Sequence, residues 1–150
     1  MIRAPTTTDI DQLLQLCARM HQESAYSFLP FDPDKVRRLV TDVIERGELY
    51  CGLVADDGGV LIGMLAGYLA DYMFCDEQLA CDLLVFVDPP YRGGWTAVRL
   101  ISTFRAWALG RGARELCLGV STEVDVDTTG KFYERLGFSR VGGVYKQRLK

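Results

Sequence analysis

The chain has 150 residues, 49% of them hydrophobic and 25% charged, which suits one globular domain with a real core. Its net charge of -3 argues against a protein that coats nucleic acid, because such proteins need concentrated positive charge to displace counterions. No cationic start followed by an apolar run opens the sequence, and no apolar stretch is long enough for a bilayer, so neither a signal peptide nor a membrane span is expected.

In chain order, Ile2 to Ala4 reads as a short strand. Thr8 offers an N-cap with Asp11 three residues on, and Ile10, Leu13, Leu14, Cys17 and Met20 follow at helical spacing to about Glu23. Ser24 to Phe31 reads as an aromatic-rich loop. Asp32 and Pro33 then predict a second helix, as an N-cap followed by proline at the first helical position. Its apolar stripe is Val36, Leu39, Val40, Val43 and Ile44, and Gly47 ends it. Leu49 to Ala55, the turn "DDGG" and Val60 to Ala70 predict a β-hairpin. Asp71 to Leu79 is irregular, acidic and partly aromatic.

Ala80 to Val87 predicts a strand covered on both faces, since it is apolar at nearly every position after Asp82. Beyond the glycines, Ala97, Leu100, Ile101, Phe104 and Ala108 make a helical stripe that "GRG" stops. Leu116 to Val120 predicts a strand, Thr129 to Leu136 a short helix closed by Gly137, and Val141 to Leu149 a last strand or hairpin. The order β, α, α, β, β, β, α, β, α, β, with no repeat or linker, is that of one mixed α/β layer structure over residues 1–150.

The cysteines are Cys17, Cys51, Cys75, Cys81 and Cys117, an odd number without a CxxC pair. They are expected to be reduced, mostly buried thiols of a cytoplasmic protein. His21, the single histidine, is expected to be an exposed helix-end residue, and one histidine argues against a zinc site of mixed Cys and His ligands.

The segment "FVDPPYRGGWTAVRL", Phe86 to Leu100, puts bare backbone where a strand hands over to a helix. A helix start presents unpaired N–H groups and a partial positive charge. Glycines let a ligand approach them, and Arg92 adds a fork suited to phosphate oxygens. The turn therefore has the parts of a pyrophosphate cradle. It is neither a Walker loop nor a full GxGxxG fingerprint. Glycine could instead be needed only for the dihedrals of a tight turn.

"VDPPYRGGWTA" resembles the acyl-coenzyme A signature of the GCN5-related N-acetyltransferases. Val87, Pro89, Arg92 and Ala97 fall on that pattern, with Trp95 where the first signature glycine is expected. "KFYERLGF", Lys131 to Phe138, is similar to the family's C-terminal helix, with Tyr133 at the position of its tyrosine beside the coenzyme sulfur. Val126 stands where the family's asparagine is usual.

The resemblance implies a single-domain fold with a central, mostly antiparallel mixed sheet, a splayed parallel strand pair and about four flanking helices. Acetyl-coenzyme A (acetyl-CoA) would lie between the splayed strands Ala80 to Val87 and Leu116 to Val120. Its pantetheine arm would pair with backbone near Phe86 and Val87. Its pyrophosphate would sit on Arg92, Gly93, Gly94, Trp95, Thr96 and Ala97. An amine would attack the thioester directly. Tyr133 would then protonate the leaving thiolate, and Asp82 is the favoured base, because a charge entering a buried strand needs a partner or a purpose. Asp76, Glu77 and Glu23 are the other carboxylates in reach of that role. Cysteine catalysis would need a base beside Cys75 or Cys81, and none is evident.

The acceptor is expected between the first helices and the segment before the central strand, where Tyr26, Phe28 and Tyr72 supply aromatic wall and Glu23 and Glu77 negative charge. Such a site suits a cationic amine of a small molecule or a protein. No metal, nucleic acid or membrane is expected as a partner. The last strand could pair with a second copy in a homodimer. Two other readings compete with the enzyme: a non-catalytic acyl-CoA sensor or assembly module, and a nucleotide-binding βαβ protein.

Overall fold

A computed structural model describes residues 1–150. Five strands form one sheet in the order β1 (Ile2–Arg3), β2 (Tyr50–Asp57), β3 (Val60–Asp71), β4 (Gln78–Val87) and β5 (Glu115–Cys117). The first four pair antiparallel, and β5 pairs parallel to β4. The helices are α1 (Ile10–Glu23), α2 (Pro33–Glu45), α3 (Thr96–Gly110) and α4 (Val126–Arg135). This is the expected α/β domain, with the parallel pair joined through α3.

Alternation along the strands gives the sheet two apolar faces. Leu53, Ala55, Leu65 and Val87 pack with Leu100, Ile101 and Phe104 of α3. Val54, Leu61, Met64 and Phe86 pack with Leu13, Leu16 and Cys17 of α1. The approach of α3 is close enough to exclude side chains: a Cβ on Gly67 would stand 2.3 Å from the Phe104 ring. On the other face α2 buries no residue fully. It roofs an apolar cavity of about 60 Å³ whose only titratable lining side chain is Cys17.

A bulge decides where Asp82 points. Ala66 pairs with Leu84 but Gly67 pairs with Asp82, so Leu83 is the extra residue. After it the alternation is reset, and Asp82 shares the face of Ala80, which belongs to the α3 cluster.

Both helix starts on the α1–α2 face are polar locks. Asp32 Oδ1 accepts the N–H groups of Asp34 and Lys35, both at 3.0 Å, as expected of the second N-cap. The lock before α1 lies two residues earlier than its spacing predicts. Asp9 accepts the Thr6 N–H at 2.7 Å and holds Arg3 through both carboxylate oxygens, at 2.8 and 2.9 Å. Arg3 also donates to Asp56 at 2.8 Å, which ties β1 to β2 and to the helix start. The Arg3 guanidinium holds the Asp9 carboxyl well below the usual carboxylate range.

Several expectations are corrected. Val141 to Leu149 forms no strand. Val141, Val144, Tyr145 and Leu149 are all exposed. They have β-propensity, but a strand also needs a ladder partner, and the segment instead crosses the loop after α1. β5 stops at Cys117 rather than Val120, and α4 begins at Val126 rather than Thr129. Only Cys17 and Cys51 are buried; Cys81 is half-buried, Cys75 is exposed in the turn between β3 and β4, and Cys117 is exposed at the end of the edge strand β5. His21 is half-buried, not exposed: its ring lies 5.5 Å from that of Phe31, and its Nε2 is buried without a partner.

Candidate active site

The site opens where the parallel pair comes apart. Leu79, Ala80 and Cys81 pair with Glu115, Leu116 and Cys117, and there the ladder ends. Across the opening Asp82 Oδ1 accepts the Gly119 N–H at 2.9 Å. Burial pushes the Asp82 carboxyl above its ordinary pKa, and the Gly119 bond opposes that shift only in part. Tyr133, on α4, reaches the same opening. Burial first, and then the Asp82 charge, push its phenol up to about 12. Phe132 and Phe138 flank its ring, at 5.8 and 5.9 Å between centroids. Two residues 51 positions apart in the sequence thus share one half-buried, water-poor corner.

At the other end of β4 the chain turns through Pro89–Tyr91 and reaches Gly93, whose φ of +83° is the left-handed region that favours glycine. Nothing lies within 4 Å of where a Cβ on Gly93 or Gly94 would be. Trp95 is the N-cap residue of α3. It gives no side-chain cap, and its indole is 73% exposed. The first-turn N–H groups, including those of Thr96 and Ala97, are therefore without a side-chain acceptor and approachable past bare backbone. These residues fit a pyrophosphate at a helix start.

Arg92 is engaged already. Its Nε donates to the Val87 carbonyl at 2.8 Å, its Nη2 to Glu23 at 2.5 Å, and its guanidinium lies 5.4 Å from the Phe86 ring centre. A second pair, Arg19 Nε to Asp88 Oδ1 at 2.9 Å, ties the same helix to the same turn.

The residues expected at the acceptor site divide into three groups. Glu23 is at the turn, on Arg92. Tyr26 and Phe28 lie under the C-terminal segment, with Lys146 Nζ 4.9 Å from the Tyr26 ring and the Arg148 guanidinium 3.8 Å from that of Phe28. Lys146 also donates to the Ser121 carbonyl at 3.0 Å and pairs with Glu123. Tyr72 and Glu77 are apart from both, at the start of β5: Tyr72 donates to Glu115, and Glu77 pairs with Arg114 at 3.8 Å. Gln78, next to Glu77, precedes Asp82 by four strand positions, a separation of about 13 Å.

Sequence reasoning missed Gly119, Arg19, Asp88, Lys146 and Arg148. Gly119 carried a usable signal, since glycine in an apolar run marks close backbone approach. The ion-pair and tail partners had none, being far apart in sequence.

No group of three or more His, Cys, Asp or Glu side chains converges to hold a metal ion, and no helix is long and apolar enough to cross a membrane. The sequence profile of the Acetyltransferase (GNAT) family matches residues 9–138, which takes in the glycine turn, the splayed strands and α4. N-alpha-acetyltransferase 30 of Schizosaccharomyces pombe (strain 972 / ATCC 24843) is 30% identical over 130 residues, covering 87% of this chain and 68% of its own. Among solved structures, AAC(6')-Iy in complex with the bisubstrate analogue CoA-S-monomethyl-acetylneamine superposes with a TM-score of 0.77 at 23% identity, over 100% of this chain and 97% of that one. Ribosomal-protein-alanine N-acetyltransferase from Brucella melitensis biovar Abortus 2308 does so with a TM-score of 0.75 at 19% identity, over 99% of each chain. The chain belongs to the GNAT family of acetyltransferases, and it is an N-acetyltransferase with acetyl-CoA as its cosubstrate.

Proposed function

We propose that the acetyl group passes to a cationic primary amine by direct attack of its nitrogen on the thioester, in the opening between β4 and β5. The observation that carries this reading is Asp82 and Tyr133 sharing that opening. An ammonium has no lone pair, so a proton must leave before attack. Asp82 accepts it, directly or through a water, and a carboxyl pushed above its ordinary pKa is a better base for the purpose. As the carbon–sulfur bond breaks, the thiolate takes the Tyr133 proton. Tyr133 can supply it because burial keeps the phenol protonated through the physiological range. The first turn of α3, with Gly93, Gly94 and Arg92, holds the pyrophosphate, and the end of β4 at Phe86 and Val87 holds the pantetheine arm.

The acceptor is an amine of a protein or of a small polycation. Glu23, Tyr26 and Phe28 flank the α1 side of the site and favour positive charge. The name of the Schizosaccharomyces pombe relative and the acetylneamine analogue held by AAC(6')-Iy support these two acceptor classes. A screen of peptide α-amines, lysine peptides and aminoglycosides separates them. The open β5 edge and the exposed apolar residues of the C-terminal segment support association with a second copy, which light scattering tests. Free cysteines throughout support a reducing, cytoplasmic setting.

The deciding experiment is thermal unfolding with acetyl-CoA beside ATP, NAD and buffer. A ligand at one hundred times its dissociation constant adds ~2.7 kcal/mol to native stability. Acetyl-CoA alone is expected to raise the melting temperature, and Arg92→Ala to weaken the effect. No shift with any coenzyme A ester at millimolar concentration would overturn the proposal.

A further inference from the structure

Arg92 is the only side chain of the glycine turn that could add a full positive charge to the pyrophosphate site, and the fold has spent that charge elsewhere. Its Nη2 faces Glu23 at 2.5 Å. Its Nε closes back on the Val87 carbonyl at 2.8 Å, the same stretch of β4 backbone that the proposed function gives to the pantetheine arm. The guanidinium also lies over the ring of Phe86, the neighbouring residue of that stretch, 5.4 Å from its centre. In this arrangement one side chain lies across the coenzyme channel and is neutralised there by a carboxylate from another element.

Glu23 is the last residue of α1, the helix that leads into the Tyr26 and Phe28 segment. The helix end is itself fastened to the turn by Arg19 and Asp88. Glu23 is thus held at fixed reach of Arg92 rather than meeting it by chance. Both partners keep some exposure, with 37% of the Arg92 side chain and 28% of the Glu23 side chain accessible. The pair is therefore weak enough to be displaced by a doubly charged pyrophosphate.

We infer that Glu23 is a positioning residue acting through Arg92: it latches the guanidinium across the coenzyme channel in the free protein and lowers the affinity for coenzyme A until the pyrophosphate takes its place. This rests on the proposed function. Entry of the coenzyme exchanges one charge-assisted bond of Arg92 for another and releases the Val87 carbonyl. Part of the phosphate's attraction is used to break the latch. The end of α1 thereby senses whether the coenzyme site is filled.

The test is a double-mutant cycle on Glu23→Gln and Arg92→Ala, read by isothermal titration with coenzyme A itself. Glu23→Gln keeps the side-chain shape and removes the charge. It is expected to bind coenzyme A about two- to five-fold more tightly than the parent, the range an exposed ion pair allows. In the Arg92→Ala background the same change is expected to leave the affinity where it was. Glu23→Asp, too short to reach Arg92 in place, is expected to move affinity in the same direction as Glu23→Gln. A merely structural role would weaken binding or leave it alone, never tighten it through Arg92. Equal or weaker binding in Glu23→Gln, or a gain that persists without Arg92, overturns the inference while leaving the proposed function standing. A parent protein that binds no coenzyme A overturns both.

Discussion

Asp82 and Gly119 face each other across the point where β4 and β5 separate, the carboxylate accepting the backbone N–H at 2.9 Å. One bond therefore spans the gap that the ladder no longer closes. Asp82→Asn keeps an oxygen for Gly119 and loses only the charge. The folded-state pKa of Asp82 is raised, so the native protein holds that proton more tightly than the unfolded chain does. The stability this contributes is full below the unfolded carboxyl pKa and is lost as pH rises through the folded one. Above the folded pKa the ionised Asp82 is a burden on the fold, and there Asp82→Asn is expected to melt higher than the parent, with the difference shrinking on acidification. Catalysis should move the other way, with kcat falling about 10²-fold or more. The acid limb of the parent kcat/KM profile, displaced above the ordinary carboxylate range, should vanish. Melts and rates measured between about pH 4 and 8 check both signs. Undiminished activity in Asp82→Asn would remove it as the base.

Two parts of the candidate site stood out in the sequence because two residues broke local patterns. Asp82 is the single charge in an apolar run, and Gly93 takes a backbone conformation that other residues resist. The strand and helix order followed from apolar period, which burial against two sheet faces enforces. The face on which Asp82 stands was not legible. It depends on the Leu83 bulge, and a register shift leaves no mark in residue type. Nor could spacing show that Arg92 and Glu23 are partners, since 69 positions separate them. The C-terminal segment failed for a different reason: strand propensity in Val144 and Tyr145 means nothing without an edge to join.

Tyr133 is the cleanest of the proposed catalytic groups to test, because its hydroxyl has little structural work. Burial and the Asp82 charge together push its pKa up, and no protein group hydrogen-bonds to it. Tyr133→Phe keeps the ring between Phe132 and Phe138 and is expected to melt within about 1 °C of the parent. Coenzyme A affinity should be unchanged. The loss should fall on kcat, about 10²-fold, as expected when a proton donor is missing only in the transition state. With the phenol pushed up to about 12, the parent should show no loss of activity from Tyr133 ionisation up to about pH 10. An equal loss of coenzyme A affinity and kcat would make Tyr133 a binding residue instead.

Gly67 tests the packing that sets the site's frame. It pairs with Asp82 beside the bulge, and Phe104 fills the space above it. In Gly67→Ala the new methyl would meet that ring at 2.3 Å and the Cys81 carbonyl at 2.9 Å. Either α3 lifts from the sheet or β4 shifts. Overpacking of this kind costs about 1–3 kcal/mol, roughly 2–4 °C in melting temperature per kcal/mol for a chain of this size. Activity should fall more than stability alone explains, because the strand that moves carries Asp82. Chemical denaturation and kcat measured on the same samples separate the two effects.

The C-terminal segment gives the proposed acceptor face its own cations. Lys146 and Arg148 lie over Tyr26 and Phe28, the two aromatic residues proposed to receive a positively charged amine. If those rings hold the acceptor, the internal cations compete with it. Lys146→Ala with Arg148→Ala removes both while leaving Glu23, Asp82 and Tyr133 in place. Cation–π contacts at exposed sites are worth about 0.5–1 kcal/mol each, so the fold should lose little. The KM of a cationic acceptor is then expected to fall several-fold, with kcat and the coenzyme A affinity unchanged. The same pair of substitutions should do nothing for an uncharged amine analogue, because such an analogue gains nothing from an uncovered aromatic face. A rise in acceptor KM would mean that the segment helps to build the acceptor site, and an unchanged KM would place the acceptor away from Tyr26 and Phe28. Initial rates against acceptor at saturating acetyl-CoA give the answer directly.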